Sequence, residues 1–502
     1  MSGPSIRITH LYEDLEQRLA FLKQDTSSIR ASEAVVAKAL HDGKTYYGIN
    51  TGFGALAQTR IDATQVTELQ RNLLLSHAVG VGDLVPKGIC RLMLLLKIHA
   101  LSLGYSGISL ETFERLLAFA ARDLIPAVPS KGSVGASGDL APLAHMSLPL
   151  LGYGYFWDRE GEATLPAADV LQQHGMTPID LHAKDGLSII NGTQLMSAYG
   201  AYVLEQTINL VKVADVVAAM SLEALQGSVT PFDARIHQLR PYTGQRQAAD
   251  NVRKLLVSSE ILESHRHCGK VQDPYSLRCV PQVHGAARDS LHHAQAVVEI
   301  EINSVTDNPL VFEDGAIISG GNFHGQPLAL VLDFAAIALA TLANISERRT
   351  YLLLGGHDGL PTLLMKDTGL NSGFMIPQYT AAALVSENKV FCHPASVDSI
   401  PTSLGHEDHV SMGSISAVKL FHVLENVQQV LAIELLTAAQ ALDFRKPVRP
   451  GRGVELAHEY LRSLIPHAEG DHYFKDELTR CVDLARTKDF VAVIERELGP
   501  LQ

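Results

Sequence analysis

The sequence predicts a mainly α chain: an elongated antiparallel helical bundle over residues 194–502, preceded by a loop-rich N-terminal region over 1–193. Three observations carry this prediction. First, Gln194 to Gln226 holds one glycine and no proline, while Leu328 to Leu354 and Ser414 to Lys446 hold neither. Lacking the residues that punctuate turns, each stretch reads as one long helix. Second, Leu420, Leu424, Val427, Leu431 and Leu435 recur at spacings of three and four, which places them on one helical stripe. A helix of that length spans about 50 Å, and several such helices bury their stripes only against one another. Third, the first two hundred residues are richer in glycine-containing loops and hold three of the distinctive motifs.

The run from Leu328 to Ile345 is apolar nearly all round and has the length of a membrane span. Asp333 inside it and the SERR that follows argue instead for a central bundle helix enclosed by others. Hydrophobic residues make up 46% of the 502 and charged residues 19%, so a sizeable core is available and disorder is not the default. A net charge of −13 argues against a nucleic-acid or anionic-membrane partner, which would want a basic face. Cys90, Cys268, Cys279, Cys392 and Cys481 are scattered and odd in number, as befits reduced thiols. The opening MSGPSIRITHLYEDLEQRL lacks the apolar core of a signal peptide. A cytoplasmic protein is expected.

The chemistry concentrates in GSVGASGDLAPLAH, Gly132 to His145. Ala136, Ser137 and Gly138 sit where a backbone can react with itself. A nitrogen free of a neighbouring Cβ must approach the carbonyl two residues back, which glycine does easily. The serine between them can lose its hydroxyl as water and leave an electron-poor methylene. A bare Ala-Ser-Gly is also a common loop sequence, so the flanks decide. A serine hydrolase is disfavoured because Gly135-Ala-Ser137-Gly-Asp139 ends in aspartate and fails GxSxG. The 22 histidines invite a metal-binding scaffold, yet His406-Glu-Asp-His409 falls one residue short of HExxH. His265-Arg-His267-Cys268 has no obvious third ligand run, and no metal site is expected.

Those flanks closely resemble the cofactor loop of the aromatic amino acid ammonia-lyases and aminomutases. YGINTGFG (47–54), LLLSHAVGVG (73–82), IINGTQ (189–194), VQDPYSLRC (271–279), SVTDNPLVF (304–312), SGGNFHG (319–325) and EDHVSMG (407–413) follow in that family's order. Several motifs agreeing in context are specific where one is not. The resemblance implies a 4-methylidene-imidazol-5-one group (MIO) made from Ala136, Ser137 and Gly138, with no external cofactor. It further implies a homotetramer whose active sites combine residues of several chains.

The same resemblance gives roles residue by residue. Tyr47 matches the catalytic tyrosine that meets the β-proton, and with an ordinary pKa near 10 it requires surroundings that favour the phenolate. Arg278 matches the carboxylate binder, a planar cation offering two parallel hydrogen bonds. Tyr275 takes a hydrogen-bonding or proton-handling role, Gln272 a polar contact, Asn191 a hold on substrate or cofactor oxygen, and Phe323 a place near the substrate ring. His77 sits where the family chooses its ring, and Glu407 stands where phenylalanine and tyrosine enzymes usually carry glutamine. A carboxylate suits an imidazole and would be an unpaired charge beside a phenyl ring. The implied reaction is elimination of ammonia from L-histidine to trans-urocanate in histidine breakdown, with a tyrosine or phenylalanine lyase and a 2,3-aminomutase as the nearest rivals. His406 departs from the glutamine that many histidine-using members have there, with local packing or pH response its expected effect.

Overall fold

The computed structural model describes residues 5–56 and 58–502. Among them the chain forms twenty α-helices and three two-stranded antiparallel ladders. The three stretches poor in turn residues lie in single helices, Gln194–Ala224, Gln326–Leu353 and Gly413–Asp443. The last ends shortly before Pro447, which cannot continue it. A fourth long helix, Val280–Ile302, begins with proline at its second position, where no intrahelical N–H is needed.

Two compact units share the chain. One comprises the chain up to Tyr202 together with Gln295–Asp333 and Pro394–Val418; the other comprises Val203–Ala294, Phe334–His393 and Lys419–Gln502. Each of the four long helices changes unit along its own length. Four of the five crossings between units fall inside these helices and only the fifth, between His393 and Pro394, in a loop, which is why composition shows no clear linker.

In the first unit the helix Lys87–Ser102 is buried on nearly every face. Ser109 caps the next helix, Leu110–Ala121, by accepting from Thr112 N, and its own N–H and hydroxyl donate to buried Asp185 at 2.7 Å each. Gly200 stands where three helices meet: a Cβ there would lie 3.0 Å from Leu332 and 3.4 Å from Val298. A side chain at that point would require the Leu332 methyl to give way by a few tenths of an ångström.

In the second unit the predicted stripe of Leu420, Leu424, Val427, Leu431 and Leu435 is buried, but so is every residue from Val430 to Leu442. Over that stretch the helix is enclosed on all sides, and its polar residues are paired to match. Glu434 takes a two-pronged contact from Arg349, with Nη2 to Oε2 at 2.8 Å, and accepts from Ser221 Oγ at 2.6 Å. The helix Gln326–Leu353 is long and apolar enough to cross a membrane, yet 72% of its most apolar window is buried within the protein. Arg349, fully buried on that same helix, is accommodated by its carboxylate partner, as a core helix allows.

Candidate active site

In the first unit a ladder between Val81–Leu84 and Pro129–Lys131 sets two segments side by side. The helix Val66–His77 ends just before one strand, and the loop carrying Ala136, Ser137 and Gly138 follows the other. That loop turns tightly, with left-handed φ at Gly135 (+78°), Ser137 (+52°) and Gly138 (+82°). For Ser137 such a backbone costs about 1–2 kcal/mol, so the surrounding structure must hold it there. Gly138 forms a parallel bridge with Gly192, and a Cβ on it would lie 2.0 Å from the Gly192 carbonyl oxygen. Glycine is therefore obligatory at this position for steric reasons.

The bridge is reinforced on both sides. Gly192 N–H donates to Ser137 O at 3.3 Å, and Asp139 N–H donates to Gly192 O at 2.7 Å. Asp139 is fully buried at the start of the helix Gln194–Ala224, where its Oδ2 accepts from Leu195 N and Met196 N at 3.0 Å each. Burial nevertheless pushes its carboxyl up to about 7, against the pull of those N–H groups. The segment after Glu407 clamps the loop from outside: Met412 N–H donates to Val134 O at 3.0 Å and Ser414 Oγ to Ser133 O at 2.7 Å.

Glu407 closes a turn that begins at Thr402, whose hydroxyl donates to Oε2 at 2.8 Å. Its other oxygen, Oε1, accepts from Ser137 Oγ at 3.4 Å, which puts a carboxylate directly on the tripeptide. The same turn touches the tyrosine loop, since a Cβ on Gly54 would lie 2.7 Å from Ser403 Oγ. Tyr47 is half-buried, and its hydroxyl accepts from Gly54 N–H at 3.2 Å. Burial pushes the phenol up and Glu407 adds to this, with the Gly54 N–H opposing. The expected surroundings favouring a phenolate are thus reversed within this chain, because the groups facing Tyr47 supply desolvation and negative charge but no cation.

His77 bonds through Nδ1 to Ser76 Oγ at 3.0 Å, and burial pushes its imidazole down, opposed by the Leu73 backbone and Glu407. With Ser76, Val79, Val134, Ala136 and Leu140 it lines a cavity of about 220 Å³. Asn191 is buried, and its Oδ1 has no hydrogen-bond partner. A buried acceptor left unpaired in this way fits a role toward a bound group. Phe323 lies half-buried in the loop before the helix Gln326–Leu353.

The remaining predicted residues, Gln272, Tyr275 and Arg278, belong to the second unit. Pro274 opens the short helix Tyr275–Arg278, and the Arg278 guanidinium lies over the Tyr275 ring, 4.6 Å from its centre. Arg278 Nε is buried without a partner, leaving a donor for an incoming acceptor. Gln272 and Tyr275 are exposed, Tyr275 by 70%. Gln272 and Arg278 share a cavity of about 830 Å³ with Arg266 and Lys270, which are paired with Glu263 and Asp358, so Arg278 is the lining arginine left with an unpartnered donor. His265, which the sequence offered as a metal ligand, instead faces the carbonyls of Ile261 and Gly227 at 2.6 and 3.2 Å. His406 is exposed.

Sequence reasoning passed over Asp139 and Lys97. Asp139 carried a signal, an acid inside the otherwise small and apolar GASGDLAPLA. So did Lys97, the single cation in the run from Leu92 to Ile98.

The site of the first unit combines a tight Ala-Ser-Gly turn with left-handed Ser137 and Gly138, a carboxylate on its serine and an unpaired buried amide. The family model for aromatic amino acid lyases matches residues 7–463. A histidine ammonia-lyase of Sorangium cellulosum is 51% identical over 95% of this chain and 93% of its own length. One from Stigmatella aurantiaca is 53% identical over 88% and 87%. Among solved structures, histidine ammonia-lyase from Trypanosoma cruzi superposes with a TM-score of 0.87 at 42% identity, covering 95% of this chain and 90% of that one. Tyrosine aminomutase from Streptomyces globisporus superposes at 0.91 with 35% identity, covering 100% and 99%. With the motifs, the turn and the carboxylate all accounted for by one kind of chemistry, the chain belongs to the aromatic amino acid lyase family.

Proposed function

We propose that this chain is a carbon–nitrogen lyase that eliminates ammonia from L-histidine to give trans-urocanate, in the cytoplasm and as a step of histidine breakdown. The observation that carries this reading is Glu407 Oε1 at 3.4 Å from Ser137 Oγ, with His77 lining the cavity beside Ala136. A carboxylate at that place pairs with an imidazole N–H and repels a phenyl ring. The turn with left-handed Ser137 and Gly138, and the Gly192 carbonyl that forbids a Cβ on Gly138, fit formation of MIO from Ala136, Ser137 and Gly138 by loss of two waters. That group supplies an electrophilic methylene to which a substrate amine attaches and so becomes a better leaving group.

The residues divide the rest of the task. Tyr47 takes the β-proton, His77 and Glu407 seat the imidazole, Asn191 offers its unpaired amide, and Phe323 packs near the ring. Arg278 holds the carboxylate, with Tyr275 and Gln272 beside it. The groups facing Tyr47 within one chain hold its phenol up, and a base needs an added cation to come down. Sharing of active sites among the chains of a homotetramer, with Arg278 supplied to another chain's tripeptide, meets that need. The sequence regions 1–193 and 194–502 then read as the part that carries the electrophile and the part that carries much of the substrate grip.

The test is the ultraviolet spectrum of the purified protein with L-histidine, and in parallel with L-tyrosine and L-phenylalanine. Growth of urocanate from histidine alone is the expected result. Coumarate or cinnamate instead would keep the electrophile and overturn the imidazole pocket. A second reading, a 2,3-aminomutase, is favoured by the close superposition on tyrosine aminomutase. It predicts a β-amino acid in place of released ammonia.

A further inference from the structure

Beneath the tripeptide lies a charge that the proposed mechanism does not use. Lys97, on the helix Lys87–Ser102, is 1% exposed, and its Nζ donates to the Asn191 carbonyl oxygen at 2.7 Å. That carbonyl and the Gly192 N–H are the two ends of one peptide group, and the N–H donates to Ser137 O at 3.3 Å. The three groups therefore form one line: Lys97 amine, Asn191–Gly192 peptide, Ser137 carbonyl.

We propose that Lys97 is a positioning residue that acts on the Ser137 carbonyl through the Asn191–Gly192 peptide, holding that peptide in place and polarising it toward Ser137 O. The inference rests on the maturation of Ala136, Ser137 and Gly138 proposed above. In the matured group the Ser137 carbonyl is conjugated with the methylene derived from the Ser137 side chain, so electron density arriving at the methylene runs to Ser137 O. A peptide that already accepts from a cation is a stronger N–H donor, because hydrogen bonds in a chain polarise one another. Donors aimed at an oxygen where charge develops act most strongly in a buried site, where water does not screen them.

Burial pushes the Lys97 amine down to about 7, with Asp307 opposing and Lys184 reinforcing the shift. Lys184 is itself committed elsewhere, to Asp307 Oδ2 at 3.0 Å and to Ser188 Oγ at 3.1 Å, whereas Lys97 is directed at the Asn191 carbonyl. As negative charge grows on Ser137 O, the Gly192 N–H that Lys97 polarises through the Asn191 carbonyl donates to it more strongly. The interaction thus strengthens as reaction proceeds, which raises turnover rather than binding.

The experiment compares wild type, Lys97→Gln and Lys97→Met by three readouts: the mass of the peptide spanning Ala136–Gly138, the near-ultraviolet band of the matured group against a Ser137→Ala blank, and kcat and KM for L-histidine. Lys97→Gln keeps a neutral donor and Lys97→Met keeps only the volume. Both are expected to show the loss of two waters. For Lys97→Gln, kcat falls about tenfold and KM stays within about twofold, with a larger fall in kcat for Lys97→Met. The band moves to shorter wavelength in both, as expected for a less polarised carbonyl and not for a merely structural lysine. Where Lys97→Met does not fold, Lys97→Gln carries the test alone. A matured Lys97→Gln protein with the wild-type band and kcat overturns the proposal. So does an unmatured one, which would assign Lys97 to building the group instead. If the wild-type peptide itself retains both waters, it is the proposed function that falls.

Discussion

The second unit and the surroundings of the tripeptide treat buried charge in opposite ways, although elsewhere in the first unit Asp307 is paired with Lys184 and Asp14 with Arg7. In the second, buried acids are mostly met by basic side chains: Asp215 by Arg288 and His284, Glu434 by Arg349, and Asp443 by Arg462, Lys446, His458 and His467. Asp215 and Asp443 are accordingly held below the usual carboxylate range despite their burial. Glu223 is an exception, satisfied by the Gly451 N–H and pushed up to about 7. Around the tripeptide of the first unit, Asp139 faces backbone N–H groups rather than a cation, Lys97 faces a carbonyl, and Asn191 Oδ1 faces nothing. Asp139 and Lys97 are driven from their ordinary values toward 7 from opposite sides. Paired charges fix a core, and charges left near neutrality mark a place where protons and electrons can move.

The comparison breaks if chemistry does not depend on the first unit. Ser137→Ala is expected to reduce urocanate formation by at least about a thousandfold while circular dichroism and melting stay as in wild type. Near-normal turnover would refute the self-made electrophile. A sharper form uses both units: Ser137→Ala and Arg278→Ala, each inactive alone, regain turnover when co-expressed if one chain's Arg278 serves another chain's tripeptide. Hybrids that stay inactive despite assembling would confine each site to one chain.

Arg349→Met tests the other side. It leaves Glu434 buried and unpaired, at a cost of about 3–5 kcal/mol. The denaturation midpoint should fall markedly, while turnover per folded molecule stays close to wild type. A selective loss of turnover without loss of stability would show that the ion pairs of the second unit serve catalysis after all.

Asp139 should give the first unit a pH signature. Its pKa is raised on folding from an ordinary 3.8 to about 7. Between those values the folded state binds more protons than the unfolded, so its contribution to stability is fully present below about pH 4 and is lost as pH rises through about 7. Asp139→Asn keeps the acceptor for Leu195 and Met196 N–H and removes the titration. Denaturant midpoints measured from pH 4 to 8 should therefore fall less steeply for the variant, by on the order of a few kcal/mol over the range. Equal slopes would refute the raised carboxyl.

Much of this was legible in the sequence because it is written locally. The long helices follow from missing glycine and proline, and the tripeptide and its carboxylate partner lie in motifs whose order is distinctive. What escaped is written across the chain. The stripe from Leu420 to Leu435 could not reveal that the helix is enclosed on every side from Val430 to Leu442, since Glu434, Thr437 and Gln440 look like a wet face until Arg349 and Ser221 are placed beside Glu434. The division into units is equally hidden, because four of its five crossings fall inside helices. Lys97 meets Asn191, 94 positions away, and Glu407 meets Ser137, 270 positions away, so no spacing rule links them.

Glu407→Gln carries the smallest expected effect and separates the substrate pocket from the electrophile within the first unit. Glutamine keeps the Thr402 hydroxyl as a donor to its side-chain oxygen and keeps the shape of the turn, so the loop and the nearby Tyr47 should hold their places. It removes only the charge that faces an imidazole. A hydrogen bond to a charged group is worth about 1.5–3 kcal/mol, which corresponds to a loss of roughly 10- to 100-fold in kcat/KM for L-histidine. L-tyrosine and L-phenylalanine gain nothing from that charge and are penalised by its desolvation, so their kcat/KM should hold or rise. An equal loss for all three substrates would instead place Glu407 in the common chemistry beside Ser137 and leave His77 to choose the ring.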